Sequence, residues 1–134
     1  MGKLADAVLR GGGHVIGVIP DKLVTSEAVH NEVQDLRVVR TMHERKALMA
    51  ELAEGFIALP GGFGTFEELL EMLAWRQLGW HDKPLALLNI AGFYDPLMKF
   101  LDHAAREGFL RSEAHELIIL DDNAKKILGR MKRY

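Results

Sequence analysis

The glycine-rich segment from Leu59 to Glu68 carries the residues whose types and spacing best suit chemistry. It follows an apolar run that is typical of a buried strand, and it precedes a helical pattern that begins near Thr65. Glycines let a backbone approach a ligand closely, and the unpaired N–H groups at a helix start attract anions. The segment therefore predicts a binding site for the phosphate of a nucleotide or sugar phosphate. A tight strand-to-helix turn that binds no ligand is the alternative.

This segment differs from the two common phosphate-binding glycine motifs. A P-loop continues from its last glycine with lysine and then serine or threonine, whereas Gly64 is followed by Thr65 and Phe66. A dinucleotide-binding fingerprint needs a third glycine, which is missing after Gly62 and Gly64.

Glu68 is the carboxylate that helical spacing places on an inward face beside the glycines. It shares this face with Leu69, Met72, Leu73 and Arg76. The helix dipole and cap hydrogen bonds would keep such a carboxylate ionised. A capping box formed by Thr65 and Glu68 is the purely structural alternative.

Arg45 supplies the opposite charge in a second segment. It falls in the first turn of a predicted helix, on a face that is otherwise apolar and contains Met42, Met49 and Leu52. A guanidinium group on such a face is costly without an anionic partner, so an anion-binding role is predicted. The alternatives are a side chain that extends into solvent and an ion pair with a nearby glutamate.

Lys46 lies about 100° further around the same helix. Its ammonium group could be a second phosphate contact or a solvated charge, and the sequence leaves both interpretations open.

Short apolar strands alternate with helices along the chain, which predicts a mostly parallel sheet with helices on both faces. Helices are predicted over 2–11, 42–54, 65–79, 94–107 and 122–132, and strands over 14–19, 36–40, 56–60, 85–90 and 116–120. Ligands in such α/β folds bind beyond the carboxyl ends of strands, and both candidate segments follow predicted strand ends.

The composition narrows the class of protein. The 134 residues are expected to form one domain, residues 1–134, with an ordinary share of hydrophobic and charged residues. A net charge of −2 gives no general attraction to nucleic acid or to an anionic membrane. The lack of cysteine suits a cytoplasmic location, and the six histidines lack the spacing of a metal site, so no cofactor or metal is expected.

Two motifs together resemble the paired signature of the Lonely Guy (LOG) family. Residues 42–46, Met-His-Glu-Arg-Lys, are followed by residues 60–68, Pro-Gly-Gly-Phe-Gly-Thr-Phe-Glu-Glu. Residues 15–20, 82–85 and 92–97 are similar to the family as well, so the resemblance covers essentially the whole chain. Members of this family are cytokinin riboside 5′-monophosphate phosphoribohydrolases, long labelled lysine decarboxylases.

The resemblance implies a Rossmann-like α/β fold, a homodimer and hydrolysis of the N-glycosidic bond of an N6-modified AMP. By motif position, Arg45 and Glu68 match the catalytic pair of the family. The positions that it assigns to substrate or phosphate binding are Met42, Lys46, Gly61, Gly62, Gly64 and Thr65. The stretch from Trp75 to Trp80, which includes Leu78, is a candidate dimer surface, with packing in the core as the alternative.

The chain departs from the family at its N-terminus. Family members begin with a strand, a helix and a second strand that ends in Tyr-Gly-Gly-Gly, whereas Met1 and Gly2 resemble only the end of that unit. The expected absence of these elements leaves a second hypothesis open, a nucleotide-binding module without catalysis. Amino-acid decarboxylation is a third, but no lysine here has the supporting motif of a pyridoxal site.

Overall fold

The computed structural model describes residues 1–24, 32–111 and 117–134, and these divide into two compact units, Met1–Leu52 and Ala53–Tyr134. Parallel strands alternate with helices in both units, which confirms the predicted α/β, Rossmann-like class. The first residue of the predicted strand 116–120, Glu116, lies outside the described residues. No helix within the described ranges is long and apolar enough to span a membrane.

The first unit contains two helices and a pair of parallel strands among its described residues. The helices are α1 (Gly2–Arg10) and α2 (Met42–Leu52), and the strands are β1 (Ile16–Pro20) and β2 (Asp35–Val39). The strands pair in register from Ile16 opposite Asp35 to Pro20 opposite Val39. Gly17 pairs with Leu36, whose Cδ1 would lie 2.9 Å from a Cβ atom at residue 17.

The second unit contains a parallel sheet in the order β3–β4–β5 within the residues that the structure describes. Its strands are β3 (Phe56–Ala58), β4 (Leu85–Leu88) and β5 (Ile118–Asp121), and its helices are α3 (Phe63–Gln77), α4 (Asp95–Arg106) and α5 (Ala124–Met131). The core lies around β4, where Leu85, Ala86 and Leu87 are almost wholly buried. A central parallel strand is covered on both faces, which explains why β4 is a continuous apolar run.

Helix α3 begins two residues earlier than the sequence predicts, so the proposed capping box at Thr65 and Glu68 is wrong. Gly62 is the N-cap residue, and the N–H of Phe66 already donates to its carbonyl oxygen at 3.1 Å. Thr65 therefore lies inside the first helical turn. The described residues show no side-chain cap hydrogen bond at this end of α3.

A side-chain cap is found at the start of α2 instead. The Thr41 hydroxyl oxygen accepts a hydrogen bond from the N–H of Glu44 at 3.1 Å. The Glu44 carboxylate in turn accepts one from the N–H of Arg40 at 2.7 Å. This reciprocal pair resembles a capping box, although the carboxylate bonds one residue before the N-cap. It fixes the first turn of α2, which carries Met42, Arg45 and Lys46.

Candidate functional site

The glycine-rich turn links β3 to α3 and is packed closely at Gly61. A Cβ atom at this position would lie 2.9 Å from Cβ of Thr65 and closer still to its hydroxyl oxygen. The side chain of Thr65 thus occupies the space that any side chain at residue 61 would need. The turn keeps its shape because residue 61 is glycine.

Gly62 and Gly64 have a different role, because both are exposed at the helix start. A Cβ atom on either would meet none of the described atoms within 4 Å. The first N–H groups of a helix lack a partner within the helix, and they carry its positive partial charge. The open start of α3 can therefore accept an anionic group such as phosphate.

Glu68 lies on the face of α3 that packs into the second unit. Its side chain is half-buried, whereas that of the preceding Glu67 is exposed. The next residue, Leu69, and Met72 are buried on this same side, with 5% and 7% of their surfaces exposed. Helical spacing thus places Glu68 one turn after the open helix start, on the inward side.

Arg76 lies at the far end of the same helix face and has a structural role. Its guanidinium group donates to the carbonyl oxygens of Lys83 and Leu117, at 3.2 and 3.1 Å, and to the Tyr134 hydroxyl at 3.1 Å. Arg76 therefore ties the C-terminal end of α3 to the chain before β4 and β5.

Arg45 lies in the first unit, where it is half-buried on α2. Its Nε–H donates to the carbonyl oxygen of Val18 in β1 at 3.3 Å. The alternative in which Arg45 extends into solvent is therefore wrong. Arg45 is one of the residues that line a largely apolar cleft of about 830 Å³ formed within this unit.

The inward face of α2 differs from the predicted one. Met42, Met49 and Leu52 were expected to be covered, but 45%, 36% and 43% of their surfaces are exposed. Lys46 and Ala50 are buried instead, with 7% and 9% exposed. Of the two interpretations of Lys46, the solvated charge is thus wrong. The inward face of α2 therefore carries the small side chain of Ala50 and the long aliphatic stem of Lys46.

Tyr94, for which the sequence predicts no role, contacts the start of the glycine-rich turn. Its buried hydroxyl donates to the carbonyl oxygen of Leu59 at 2.6 Å. The sequence signal that includes Tyr94 is the similarity of residues 92–97 to the LOG family. Asp95 is the one charged residue of that segment, so the segment suggests no role for the tyrosine.

The predicted site residues thus fall into two sets. Met42, Arg45 and Lys46 lie together on the first turns of α2, in the first unit. Gly61, Gly62, Gly64, Thr65 and Glu68 lie together on the turn and the start of α3, in the second unit. Within the described residues, no cluster of three or more acidic or histidine side chains could hold a metal ion.

Comparison with known proteins links these residues to one family. The family model described as "Possible lysine decarboxylase" matches residues 1–131. The chain is 50% identical over all 134 residues to cytokinin riboside 5′-monophosphate phosphoribohydrolase LOG of Oryza sativa subsp. japonica. It is 48% identical over the same length to the enzyme LOG4 of Arabidopsis thaliana, which carries the same activity in its name.

The chain spans 55% of the rice protein and 62% of the Arabidopsis protein. The family model nevertheless covers almost every residue, including both candidate segments. The chain therefore belongs to the LOG family, the group that the "Possible lysine decarboxylase" model describes.

Proposed function

We propose that this protein hydrolyses the N-glycosidic bond of AMP or an N6-modified AMP and releases the free base and ribose 5-phosphate. The observation that carries the proposal is the identity of 48–50% to two phosphoribohydrolases over all 134 residues. This likeness favours the hydrolase over a nucleotide-binding module without catalysis. It also disfavours decarboxylation, because the names of these relatives describe glycosidic-bond hydrolysis.

The 5′-phosphate is proposed to bind at the open start of α3. Gly62 and Gly64 leave that helix end accessible, and the packing of Thr65 on Gly61 fixes the turn before it. The helix dipole favours the negative charge. By motif position, Lys46 and Met42 of the first unit are proposed as further substrate contacts.

Glu68 is proposed to act on the ribose. As the bond between C1′ and the base nitrogen breaks, positive charge develops on the sugar, as in other glycosidic hydrolyses. An ionised carboxylate stabilises that charge and can orient or deprotonate the attacking water. The water oxygen forms the new bond to C1′ and loses one proton to the Glu68 carboxylate. The base leaves with the electrons of the broken bond and takes up one proton, so that one water molecule is added in total.

Arg45 is proposed as the second catalytic residue. Its guanidinium group either binds the phosphate or donates a hydrogen bond to the leaving base. In either role it supplies a fixed positive charge where negative charge is bound or develops. The hydrogen bond to the Val18 carbonyl oxygen holds the Nε of Arg45 in place.

The proposed homodimer would use the surface around Trp80 and Leu78. Both side chains are largely exposed, at 67% and 64%, so packing of Trp80 and Leu78 in the core of one chain is wrong. The Trp80 ring contacts that of the half-buried Trp75, with ring centroids 5.8 Å apart. Aromatic residues of this kind are enriched at protein interfaces. The homodimer and the cytoplasmic location stay predictions.

Product analysis tests the proposed reaction. AMP and isopentenyladenosine monophosphate are incubated with the protein, and the products are separated by chromatography. Release of free base with an equal amount of ribose 5-phosphate is expected. Bound but unchanged nucleotide would favour the binding module, and carbon dioxide from an amino acid would favour the decarboxylase. Either of these outcomes would overturn the proposal.

A further inference from the structure

The Tyr94 hydroxyl is hydrogen-bonded to the main chain directly after β3, where the glycine-rich turn begins. Its side chain is fully buried, and its hydroxyl donates to the Leu59 carbonyl oxygen across 2.6 Å. Leu59 lies between β3 and Pro60, and Gly61 follows directly. The hydrogen bond thus joins the start of the turn to a residue 35 positions further along the chain.

The backbone of Tyr94 is itself held by Asn89. The side-chain oxygen of Asn89 accepts the N–H of Tyr94, and its amide nitrogen donates to the Asp95 carboxylate, both at 2.7 Å. The main-chain N–H of Asn89 donates to the carbonyl of Asp121, at the end of β5, at 2.9 Å. Asn89 therefore links the backbone of Tyr94 to the end of β5, while the Tyr94 hydroxyl is bonded to the chain after β3.

The turn between Asn89 and Tyr94 has an unusual backbone. Ala91 has a φ of 52°, in the left-handed region that an alanine seldom adopts, and Gly92 has a φ of 71°. A side chain at Gly92 would also approach the Asp95 carboxylate at 2.7 Å. Such strain persists only where the surrounding structure holds it, and it is concentrated at functional sites.

The chemical state of the hydroxyl suits a lasting hydrogen bond. Burial raises the pKa of Tyr94 above its ordinary value, because the phenolate would lose its hydration. The group therefore remains a protonated donor throughout the neutral range. A stable donor on a single carbonyl oxygen can hold one peptide group in a single orientation.

We propose that Tyr94 is a positioning residue for the phosphate-binding turn. Its hydroxyl fixes the Leu59 carbonyl and thereby the peptide groups of Pro60 and Gly61, so that the N–H groups at the start of α3 point to the 5′-phosphate. This inference rests on the proposed function. Because Tyr94 acts through the main chain, it affects recognition of the phosphate more than the breaking of the glycosidic bond.

The test is the variant Tyr94→Phe, which retains the buried ring and removes only the hydroxyl. We expect the KM for AMP to rise roughly fivefold to tenfold, with kcat changed by less than about twofold, as for the loss of one hydrogen bond that supports binding. The dissociation constant for ribose 5-phosphate, measured by calorimetry, should rise by the same factor. The affinity for adenosine, which lacks the phosphate, should not change.

The matched control is Tyr134→Phe, since it removes the hydroxyl of the other tyrosine. That hydroxyl accepts from Arg76 at 3.1 Å, in the last turn of α3, at the opposite end of the helix from the glycine-rich turn. KM and the ribose 5-phosphate affinity should remain parental. Asn89→Ala should act in the same direction as Tyr94→Phe, because it removes the acceptor for the Tyr94 N–H.

Two results would overturn the positioning role. One is parental KM and parental ribose 5-phosphate affinity in Tyr94→Phe. The other is an equal loss of affinity for adenosine and for ribose 5-phosphate, which is the result expected of general structural damage. Failure of the proposed function is recognised separately, because the parent protein would then release no base from AMP.

Discussion

The side chain of Thr65 lies over the α-carbon of Gly61, in the space that a side chain at residue 61 would occupy. This contact joins the glycine-rich turn to the first turn of α3. Thr65, the third residue of α3, therefore shapes the loop that precedes the helix.

Gly61→Ala should lower the free energy of unfolding by about 1–3 kcal/mol, because its methyl group would overlap the Thr65 side chain. Gly64→Ala is the matched control, since a Cβ there meets none of the described atoms and alanine favours helix. Its free energy of unfolding should be unchanged or up to about 1 kcal/mol higher. Urea denaturation measures both, and equal values for the two variants would contradict the packing argument.

A double variant tests the same contact from the other side. Thr65→Ala removes the hydroxyl oxygen and methyl group that crowd residue 61. Gly61→Ala should therefore cost less in the Thr65→Ala background than in the parent protein. Strictly additive effects would show that the two residues do not meet.

Lys46→Ala should lower the free energy of unfolding by about 1–3 kcal/mol, because the buried stem of this lysine packs within the first unit. Lys99→Ala, on the exposed side of α4, is the control and should change it by less than about 0.5 kcal/mol. Chemical denaturation followed by circular dichroism compares the two. A Lys46→Ala protein as stable as the Lys99→Ala protein would contradict the burial of Lys46.

Thr41→Ala should cost about 1 kcal/mol of stability, because it removes the acceptor for the N–H of Glu44 at the start of α2. Thr41→Ser retains the hydroxyl and should be close to the parent. The comparison is made by thermal denaturation of the three proteins side by side. Equal melting temperatures for Thr41→Ala and Thr41→Ser would show that this cap contributes nothing.

The ion pair between Asp35 and Arg37 predicts a stability change in acid. Hydrogen bonds from Arg37, at 2.5 and 3.2 Å, hold the pKa of the Asp35 carboxyl below its ordinary value of 3.8, with a smaller contribution from His14. A lowered folded-state pKa stabilises the protein above pH 3.8, and this contribution is lost as the pH falls through the lower value.

Arg37→Met should therefore bring the pKa of Asp35 back toward 3.8, as followed by NMR titration of its carboxyl carbon. Asp35→Asn should be less stable than the parent near neutral pH, and the difference should vanish in strong acid. An Asp35 pKa that does not move in Arg37→Met would show that this pair is not the cause.

The overall class of the fold could be predicted because strand and helix patterns are local. The run Leu85–Leu88 is apolar throughout, as is typical of a central parallel strand, and it lies within the predicted strand 85–90. The glycines at 61, 62 and 64 likewise mark a strand-to-helix turn from their own backbone properties.

Three features depended on tertiary contacts that the sequence does not show. Thr41 to Glu44 and Thr65 to Glu68 both fit a capping pattern, and only the surrounding backbone decides that the first is used. Arg45 and Lys46 are adjacent cations, so periodicity alone cannot determine which one is buried. The hydroxyl of Tyr94 finds its acceptor 35 residues earlier in the chain, which no local pattern reveals.

The most direct test of the central claim is the rate of base release from AMP by Glu68→Gln and by Glu67→Gln. The two glutamates are adjacent, but Glu68 is half-buried on the inward face of α3 and Glu67 is exposed. Loss of the carboxylate charge at Glu68 should reduce kcat by at least roughly a hundredfold, with little change in KM, whereas Glu67→Gln should remain near the parental rate. A Glu68→Gln protein that releases base as fast as the parent would contradict the proposed role of this carboxylate.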